Sequence, residues 1–167
     1  MPRAIRVIPA GERHDCAIVD TVILDFEQRR APRGPVVGLK GKRIDIALAQ
    51  PARLRTDDLL VLDDGSAVEV VAQAEPLIEA RAADISALAR LAWHLGDRHV
   101  PVEVFANRIR LRRDPALEAL LNSLGGKLVA IEAPFEPEGG AYAASHAHGH
   151  EHPHDHDHAH GHHHKRD

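Results

Sequence analysis

In the first 74 residues, hydrophobic side chains occur in short runs that turn-forming residues interrupt. Runs of this kind, rich in valine, isoleucine and leucine, predict β-strands. We expect strands at residues 21–24, 36–39, 43–48, 58–62 and 67–71. Between the last two, Asp63-Asp64-Gly65-Ser66 predicts a hairpin, because aspartate and glycine tolerate the positive φ that tight turns need. The pattern therefore predicts a small all-β domain over residues 1–74.

After residue 75 the pattern changes, and strands alternate with helices. Strands are predicted at residues 77–81, 102–105, 108–112 and 127–132. A helix begins after Asp84, whose carboxylate can cap free amides, and is predicted to stop at Gly96. A second helix opens at Asp114-Pro115 and ends before Gly125-Gly126. The order strand, helix, strand, strand, helix, strand is that of a ferredoxin-like domain, with two helices on one face of an antiparallel sheet.

The predicted fold class is therefore α+β: an all-β domain (residues 1–74), a ferredoxin-like βαββαβ domain (residues 75–142) and a tail (residues 143–167). In the strand at 108–112, arginine alternates with Ile109 and Leu111, so the arginine face should be wet. Residues 136–140 are predicted to form an extended linker. The tail has no large apolar side chain after Tyr142 and is predicted to be disordered.

The tail carries most of the chemistry that the sequence offers. Eleven of the 14 histidines lie in the last 22 residues, ten of them at every second position. Alternate residues of an extended chain face the same side, so neighbouring imidazoles can bind one ion of nickel, copper or zinc. A purification tag and a pH-responsive polycation are the alternatives, but interleaved acids and His-rich composition favour metal binding. The predicted ligands are His146, His148, His150, His152, His154, His156, His158, His160, His162, His163 and His164.

Composition limits the remaining possibilities. Aromatic residues make up only 3% of the chain, so the cores should be aliphatic, and the formal charge of −4 gives no reason to expect a nucleic acid partner. No run approaches the 18 apolar residues of a membrane span, and the charged N-terminus does not look like a signal peptide. A cytoplasmic protein is expected. Cys16 is the single cysteine, so no intrachain disulfide can form.

Outside the tail, two features could have a role. His94 lies in the last turn of the first predicted helix and His99 lies just beyond it. By spacing alone, each is more often a structural or surface histidine than a ligand. Arg29, Arg30 and Arg33 cluster among proline and glycine, which predicts either an anion site or, more often, a solvated loop.

Around His99 the chain resembles a known family. His94-Leu95-Gly96-Asp97-Arg98-His99-Val100-Pro101 resembles the His-Leu-Gly-Asn-Arg-His-x-Pro signature of the urease accessory protein UreE, a family of nickel metallochaperones. The resemblance extends to Asp63-Asp64-Gly65, Val68-Glu69-Val70, Pro134-Phe135-Glu136-Pro137-Glu138, Gly140-Ala141-Tyr142 and the His-rich end. It implies a β domain followed by a ferredoxin-like domain, as the pattern predicts.

The resemblance also implies a function. Members are homodimers joined through the second domain, in which the histidine corresponding to His99 from each subunit binds one Ni²⁺. The metal is then passed to an accessory GTPase and through it to apo-urease. Here Asp97 replaces the usual asparagine, and Arg112-Arg113-Asp114 stands where some members have a His-x-His site, so the tail must complete the coordination.

We therefore expect a nickel metallochaperone that uses the His99 pair and the tail, with His94 as a further candidate ligand. Cu²⁺ and Zn²⁺ should also bind in vitro, because copper exceeds nickel at almost any imidazole site. The alternative is a reservoir or detoxification protein in which the tail sequesters metal. The chain has no phosphate-binding glycine loop, no nucleophile motif and no His-Glu-x-x-His, so an enzyme is not expected.

Overall fold

The computed structural model describes residues 1–139 and has the predicted α+β class. An N-terminal sheet has the strand order β2-β6-β5-β1-β4-β3, with one short helix outside it. Its elements are β1 (Arg3–Ile8), β2 (Ile18–Leu24), α1 (Phe26–Arg30), β3 (Gly34–Val37), β4 (Arg43–Ile46), β5 (Leu59–Leu62) and β6 (Ala67–Ala72).

Strand β5 explains why the N-terminal sheet closes around a core. All four of its residues are buried, so both of its faces are covered. Leu60 and Leu62 belong to the main aliphatic core, and Leu59 and Val61 belong to a smaller cluster on the other face. The two outer strands also approach each other. The amide of Leu39, just after β3, donates to the carbonyl of Thr21 in β2 at 2.8 Å.

The side chain of Asp20 holds the two edges of the sheet together. Its carboxylate is buried and accepts the amides of Thr21, Lys40 and Lys42. These bonds, with that of Lys40 foremost, hold the pKa of Asp20 below its usual range despite its burial. A β-carbon on Gly38 would lie 2.1 Å from the Asp20 carboxylate, so this turn needs glycine for space.

The C-terminal sheet has the strand order β10-β7-β9-β8 and is antiparallel at every pair. Along the chain its elements are β7 (Ala74–Arg81), α2 (Ile85–Asp97), β8 (Glu103–Phe105), β9 (Arg108–Arg112), α3 (Pro115–Ser123) and β10 (Lys127–Pro134). Both helices pack on one face of this sheet: Leu91 and Leu95 of α2 and Leu121 of α3 meet Ile78 and Ile109.

Two elements were not predicted. Strand β1 carries isoleucine and valine between arginines, and helix α1 has only five residues, too few to show a helical period. A capping box nevertheless stabilises α1, since the side chains of Asp25 and Gln28 each accept the other residue's amide. The domain boundaries at residues 74 and 142 stay predictions, and the predicted disordered tail lies outside the described residues. Within residues 1–139, no helix is long and apolar enough to cross a membrane.

Candidate metal site at the end of helix α2

His99 has an unusual backbone conformation. Helix α2 runs one residue past the predicted stop at Gly96, and Arg98 is its C-cap. The amide of His99 donates to the carbonyl of Gly96 at 2.9 Å, and that of Val100 to the carbonyl of Leu95 at 3.0 Å. These two bonds define a Schellman motif, in which the residue after the cap is left-handed and is usually glycine. Here that residue is His99, with φ of 55°.

This conformation has a cost and a consequence. For a residue with a β-carbon the left-handed region costs about 1–2 kcal/mol. The helix end would therefore be more stable with glycine, and the strained backbone makes the side chain of His99 a candidate for a functional role. His99 is exposed, so its imidazole is not needed to fill the core.

His94 has a different environment. It is half-buried in the last turns of α2, and its ring meets the Trp93 ring edge-on with centroids 5.0 Å apart. Its carbonyl accepts a bond from the guanidinium of Arg98 at 2.9 Å. Within residues 1–139 there is no group of three histidine, cysteine or acidic side chains placed to hold one metal ion.

The imidazole of His99 lines an open cleft of about 580 Å³ between α2 and the start of α3. The cleft brings the loop after α2 together with the start of β7 and the end of β9, because all three lie at one end of the C-terminal sheet. The other lining residues are Glu75, Pro76, Arg98, Val100, Pro101, Arg112, Arg113, Asp114 and Leu117.

The arginines of this cleft are neutralised by acidic neighbours. The nitrogen-to-oxygen distances are 3.9 Å from Arg98 to Asp97, 2.9 Å from Arg112 to Glu27 and 3.2 Å from Arg113 to Glu118. The hydrogen bond that Arg113 donates to Glu118 raises the pKa of Arg113. Glu75 and Asp114 add two carboxylates to the lining of the cleft.

Residues 112–114, which stand in place of a His-x-His, are thus occupied in other ways. Arg112 also stacks on the Phe26 ring, with its guanidinium carbon 5.1 Å from the ring centroid. Asp114 caps α3 by accepting the amides of Ala116 and Leu117. Residues 112–114 therefore provide no imidazole beside His99.

An apolar stripe runs along the solvent side of α2 toward His99. We define the α2 stripe as Ile85, Ala89, Trp93 and Gly96, which lie four, four and three residues apart and therefore share one face. All four are exposed, with Ile85 at 78% and Trp93 at 64%. Exposed apolar surface of this kind, on a helix that ends at a candidate ligand, is typical of a protein contact.

Residues 136–138, the start of the predicted extended linker, are bound to the folded part of the chain together with Phe135. Phe135 is fully buried, and its ring meets that of Phe26 edge-on at 5.2 Å between centroids. Glu136 and Pro137 continue the segment along the N-terminal sheet, and the amide of Glu138 donates to the carbonyl of Val102 at 2.8 Å. We call residues 135–138 the strap, because they bind to both sheets.

Arg29 is the main partner of the strap and was wrongly predicted to lie in a solvated loop. Its side chain is 1% exposed. It donates to the Glu136 carboxylate at 2.8 Å, to the carbonyl of Phe135 at 2.6 Å and to that of Leu24 at 3.2 Å. The anion that this arginine binds is therefore a carboxylate of the same chain, more than 100 residues away. Arg30, with its side chain 62% exposed, fits the solvated prediction.

The arginine face of β9 is less wet than predicted. Arg108 and Arg110 are only 27% and 23% exposed, and both lie over the Phe105 ring. Together with Arg81 they surround the buried carboxylate of Glu79 at 2.7 to 3.1 Å. Burial alone would raise the pKa of Glu79, but the hydrogen bonds from Arg81 and Arg110 outweigh it and lower the pKa.

His99 therefore lines the cleft, and His94 lies on the preceding turn of α2. The eleven tail histidines lie outside the described residues. Sequence reasoning missed Arg29 and Glu136. The signal that could have found Glu136 was Phe135, since a large apolar side chain directly before a solvated linker is unusual.

Comparison with known proteins agrees with the signature around His99. Residues 4–73 match the N-terminal domain of the UreE urease accessory protein, and residues 75–164 match its C-terminal domain. The chain is 51% identical to the urease accessory protein UreE of a Bradyrhizobium strain over 88% of its own length and 71% of that relative. It is 44% identical to the protein of the same name in Beijerinckia indica, over 87% and 83% of the two lengths. With a Rhodopseudomonas palustris relative of that name the identity is 52%, over 76% and 60%. The chain belongs to the UreE urease accessory protein family.

Proposed function

We propose that this protein is a cytoplasmic nickel metallochaperone that carries Ni²⁺ for assembly of the urease active site. Family membership supports a role in urease maturation. The observation that carries the proposal is the left-handed backbone of His99, a conformation that glycine would adopt at lower cost. The imidazole of this residue is exposed. Nickel is the cargo of this protein, so the site must bind the ion and also release it.

The proposed site is shared by two copies of the chain. The α2 stripe supplies exposed apolar surface next to His99, and pairing the stripe with itself around a two-fold axis would bring two His99 rings together. Gly96 would allow close approach of the two helices, because no atom lies within 4 Å of the position its β-carbon would take. The ferredoxin-like arrangement of residues 75–142 would then serve as the dimerisation domain.

Two imidazoles leave the coordination of the ion incomplete. We propose that tail imidazoles complete it, and His146 and His148 are the closest of these in sequence to the folded part. His94, on the preceding turn, is a further candidate ligand. An ion with such exchangeable ligands can pass to another protein. At two to four imidazoles per ion, the eleven tail histidines would hold about three to five ions per chain in total.

The proposed recipients are an accessory GTPase and the apo-urease complex. Cu²⁺ and Zn²⁺ would compete for the same imidazoles in vitro, because the order of affinity among divalent ions is much the same from one imidazole site to another. Selection of nickel would then depend on the protein to which the ion is delivered.

Nickel titration by calorimetry tests the site. Three full-length proteins are compared: the natural chain, a chain in which all eleven tail histidines are serine (the tail-serine chain), and the tail-serine chain with His99→Gly. The second should keep about one tight ion per two chains, and the third should lose it. If the tail-serine chain binds no tight nickel, the reservoir function replaces this proposal.

A further inference from the structure

We propose that the open face of the C-terminal sheet is a docking surface for an acidic surface of the protein that receives the nickel. We define the cationic face as Arg81, Arg108, Arg110 and Lys127, which lie on the side of the sheet opposite both helices. The inference rests on the proposed function and adds the chemistry by which the recipient is recognised.

The strand register gathers these cations at one end of the sheet. Lys127 of β10 lies opposite Arg81 of β7, and Arg108 of β9 lies opposite Phe105 of β8. Arg110 follows two residues further along β9. Alternate residues of a strand share one face, and the residues next to these cations in each strand pack against the helices. All four cations therefore project from the other face.

Positive charge dominates the part of this face that meets solvent. Its two carboxylates, Glu79 and Glu103, are buried, each with 8% exposure. All four cations reach the solvent, and Lys127 is exposed. The face thus has a charge of +2 in a chain whose formal charge is −4. An anionic partner is attracted to such a surface.

The guanidiniums of this face are held in place and keep donors free. Glu79 accepts hydrogen bonds from Nε and one Nη of Arg81 and from Nε of Arg110. Arg108 and Arg110 also stack over the Phe105 ring, 4.3 and 4.9 Å from its centroid. Within residues 1–139, neither Nη group of Arg110 has a hydrogen-bond partner, and neither is buried. Guanidiniums positioned in advance lose little entropy when they bind carboxylates through paired hydrogen bonds.

The chemistry of this face fits a protein better than a nucleic acid. Sheets that bind RNA stack its bases on aromatic side chains. Phe105 is the aromatic residue of strands β7 to β10, and two guanidiniums already stack on its ring. Val129 lies opposite Glu79 and is 54% exposed. An apolar side chain surrounded by charged ones is typical of a protein contact.

The cationic face continues along β9 to the His99 cleft. Arg112, at the end of β9, projects from the same face as Arg110 and also lines the cleft beside His99. Arg108 and Arg112 are four residues apart, about 14 Å along a strand. A standard protein contact covers about 800 Å² on each partner, which is about 28 Å across. A protein docked on the cationic face therefore extends to the cleft from which it takes the ion.

The test measures binding of the accessory GTPase to nickel-loaded full-length proteins by biolayer interferometry, at about 50 mM and about 300 mM salt. Arg108→Gln removes a cation but no hydrogen bond of Glu79, because the Nε of Arg108 lies 3.1 Å from that carboxylate without forming one. Lys127→Gln removes an exposed cation at the start of β10. The matched control is Arg43→Gln, since Arg43 is exposed and lies in β4 of the N-terminal sheet.

At the lower salt, Arg108→Gln should weaken binding of the GTPase about tenfold, as loss of a charge-assisted hydrogen bond does. Lys127→Gln should weaken it about threefold, as loss of an exposed ion pair does. Both differences should shrink at the higher salt, because ions screen the charges. Arg43→Gln should bind like the natural chain. Unchanged affinity in both face variants would overturn the inference, and so would an equal loss from Arg43→Gln, which would indicate an effect of net charge alone.

Competition identifies the chemistry of the partner. A glutamate-rich peptide should displace the GTPase from the natural chain, and a single-stranded RNA of the same length should not. If the RNA displaces the GTPase as well as the peptide does, and binds the natural chain but not Arg108→Gln, the face is a nucleic acid surface and the inference is overturned.

Nickel affinity separates failure of the inference from failure of the proposed function. Arg108→Gln and Lys127→Gln should bind nickel like the natural chain, because neither residue lines the His99 cleft. A loss of nickel from Arg108→Gln would overturn the inference, since the residue would then act on the fold of the site. If the proposed function fails, His99→Gly leaves the nickel affinity as it was. If only the inference fails, His99→Gly still loses nickel and the GTPase binds all face variants equally.

Discussion

Replacing His99 with glycine separates the backbone of this residue from its imidazole. The left-handed conformation costs a residue with a β-carbon about 1–2 kcal/mol. Glycine escapes this cost but loses about 0.5–1 kcal/mol more in chain entropy on folding. Since the imidazole is exposed and fills no space in the core, His99→Gly should stabilise the metal-free protein by about 0.5–1 kcal/mol.

Alanine is the matched comparison. His99→Ala keeps the β-carbon and its strain, so its stability should stay within about 0.5 kcal/mol of the natural chain. Asparagine tolerates the left-handed region better than most residues, so His99→Asn should lie between alanine and glycine. All three variants should lose the tight nickel site, because none has a ring nitrogen.

The assay is urea unfolding of the metal-free full-length proteins, followed by circular dichroism at one protein concentration. With a denaturant slope of about 2–3 kcal/mol per molar, the glycine variant should unfold at about 0.3 M more urea. A midpoint for the glycine variant below that of the natural chain would show that the left-handed backbone of His99 is not a cost to the fold. The imidazole would then contribute to the fold, and His99 would be a structural histidine.

Three further predictions concern the fold. Gly38→Ala should destabilise the protein by about 1–3 kcal/mol in urea unfolding, as overpacking does, because its β-carbon displaces the Asp20 carboxylate. An unfolding midpoint of Gly38→Ala equal to that of the natural chain would contradict this. The lowered pKa of Asp20 means that its contribution is complete above the unfolded-state value and is lost as the pH falls through the folded-state one. The stability difference between the natural chain and Asp20→Asn should therefore shrink as the pH falls below about 4, and a constant difference from pH 6 to pH 3 would contradict this. Arg29→Met removes the guanidinium from the Glu136 carboxylate and from the carbonyls of Phe135 and Leu24 and should cost about 3 kcal/mol in thermal or urea unfolding, against less than about 0.5 for Arg30→Met; equal effects would show that burial of the guanidinium adds nothing.

The sequence predicted those parts of the fold that depend on local pattern. The stripe of Leu88, Leu91 and Leu95 identified α2; Asp84 was correctly predicted to cap it, and Asp114-Pro115 was correctly predicted to open α3. Periodicity identifies α2 because the side chains that face the core recur at the three- and four-residue spacing of a helix. The five-residue α1 gave no period to detect.

The contacts between the two sheets could not be predicted in this way. Arg29 and Glu136 are 107 residues apart, and nothing local distinguishes the buried Arg29 from the exposed Arg30 beside it. Similarly, the signature identified His99, but its left-handed backbone depends on where α2 ends, which the sequence placed one residue too early. The tail histidines, which give the strongest chemical signal in the chain, lie outside the described residues.

If nickel is delivered from His99, activation of apo-urease must depend on this residue. Nickel-loaded natural chain, His99→Gly with its tail intact, and the tail-serine chain are each mixed with the apo-urease complex and its accessory GTPase, and urease activity is followed. We expect that His99→Gly abolishes activation although its tail still binds nickel, whereas the tail-serine chain activates with less metal per chain. Full activation by His99→Gly would instead identify the tail as the source of the delivered ion.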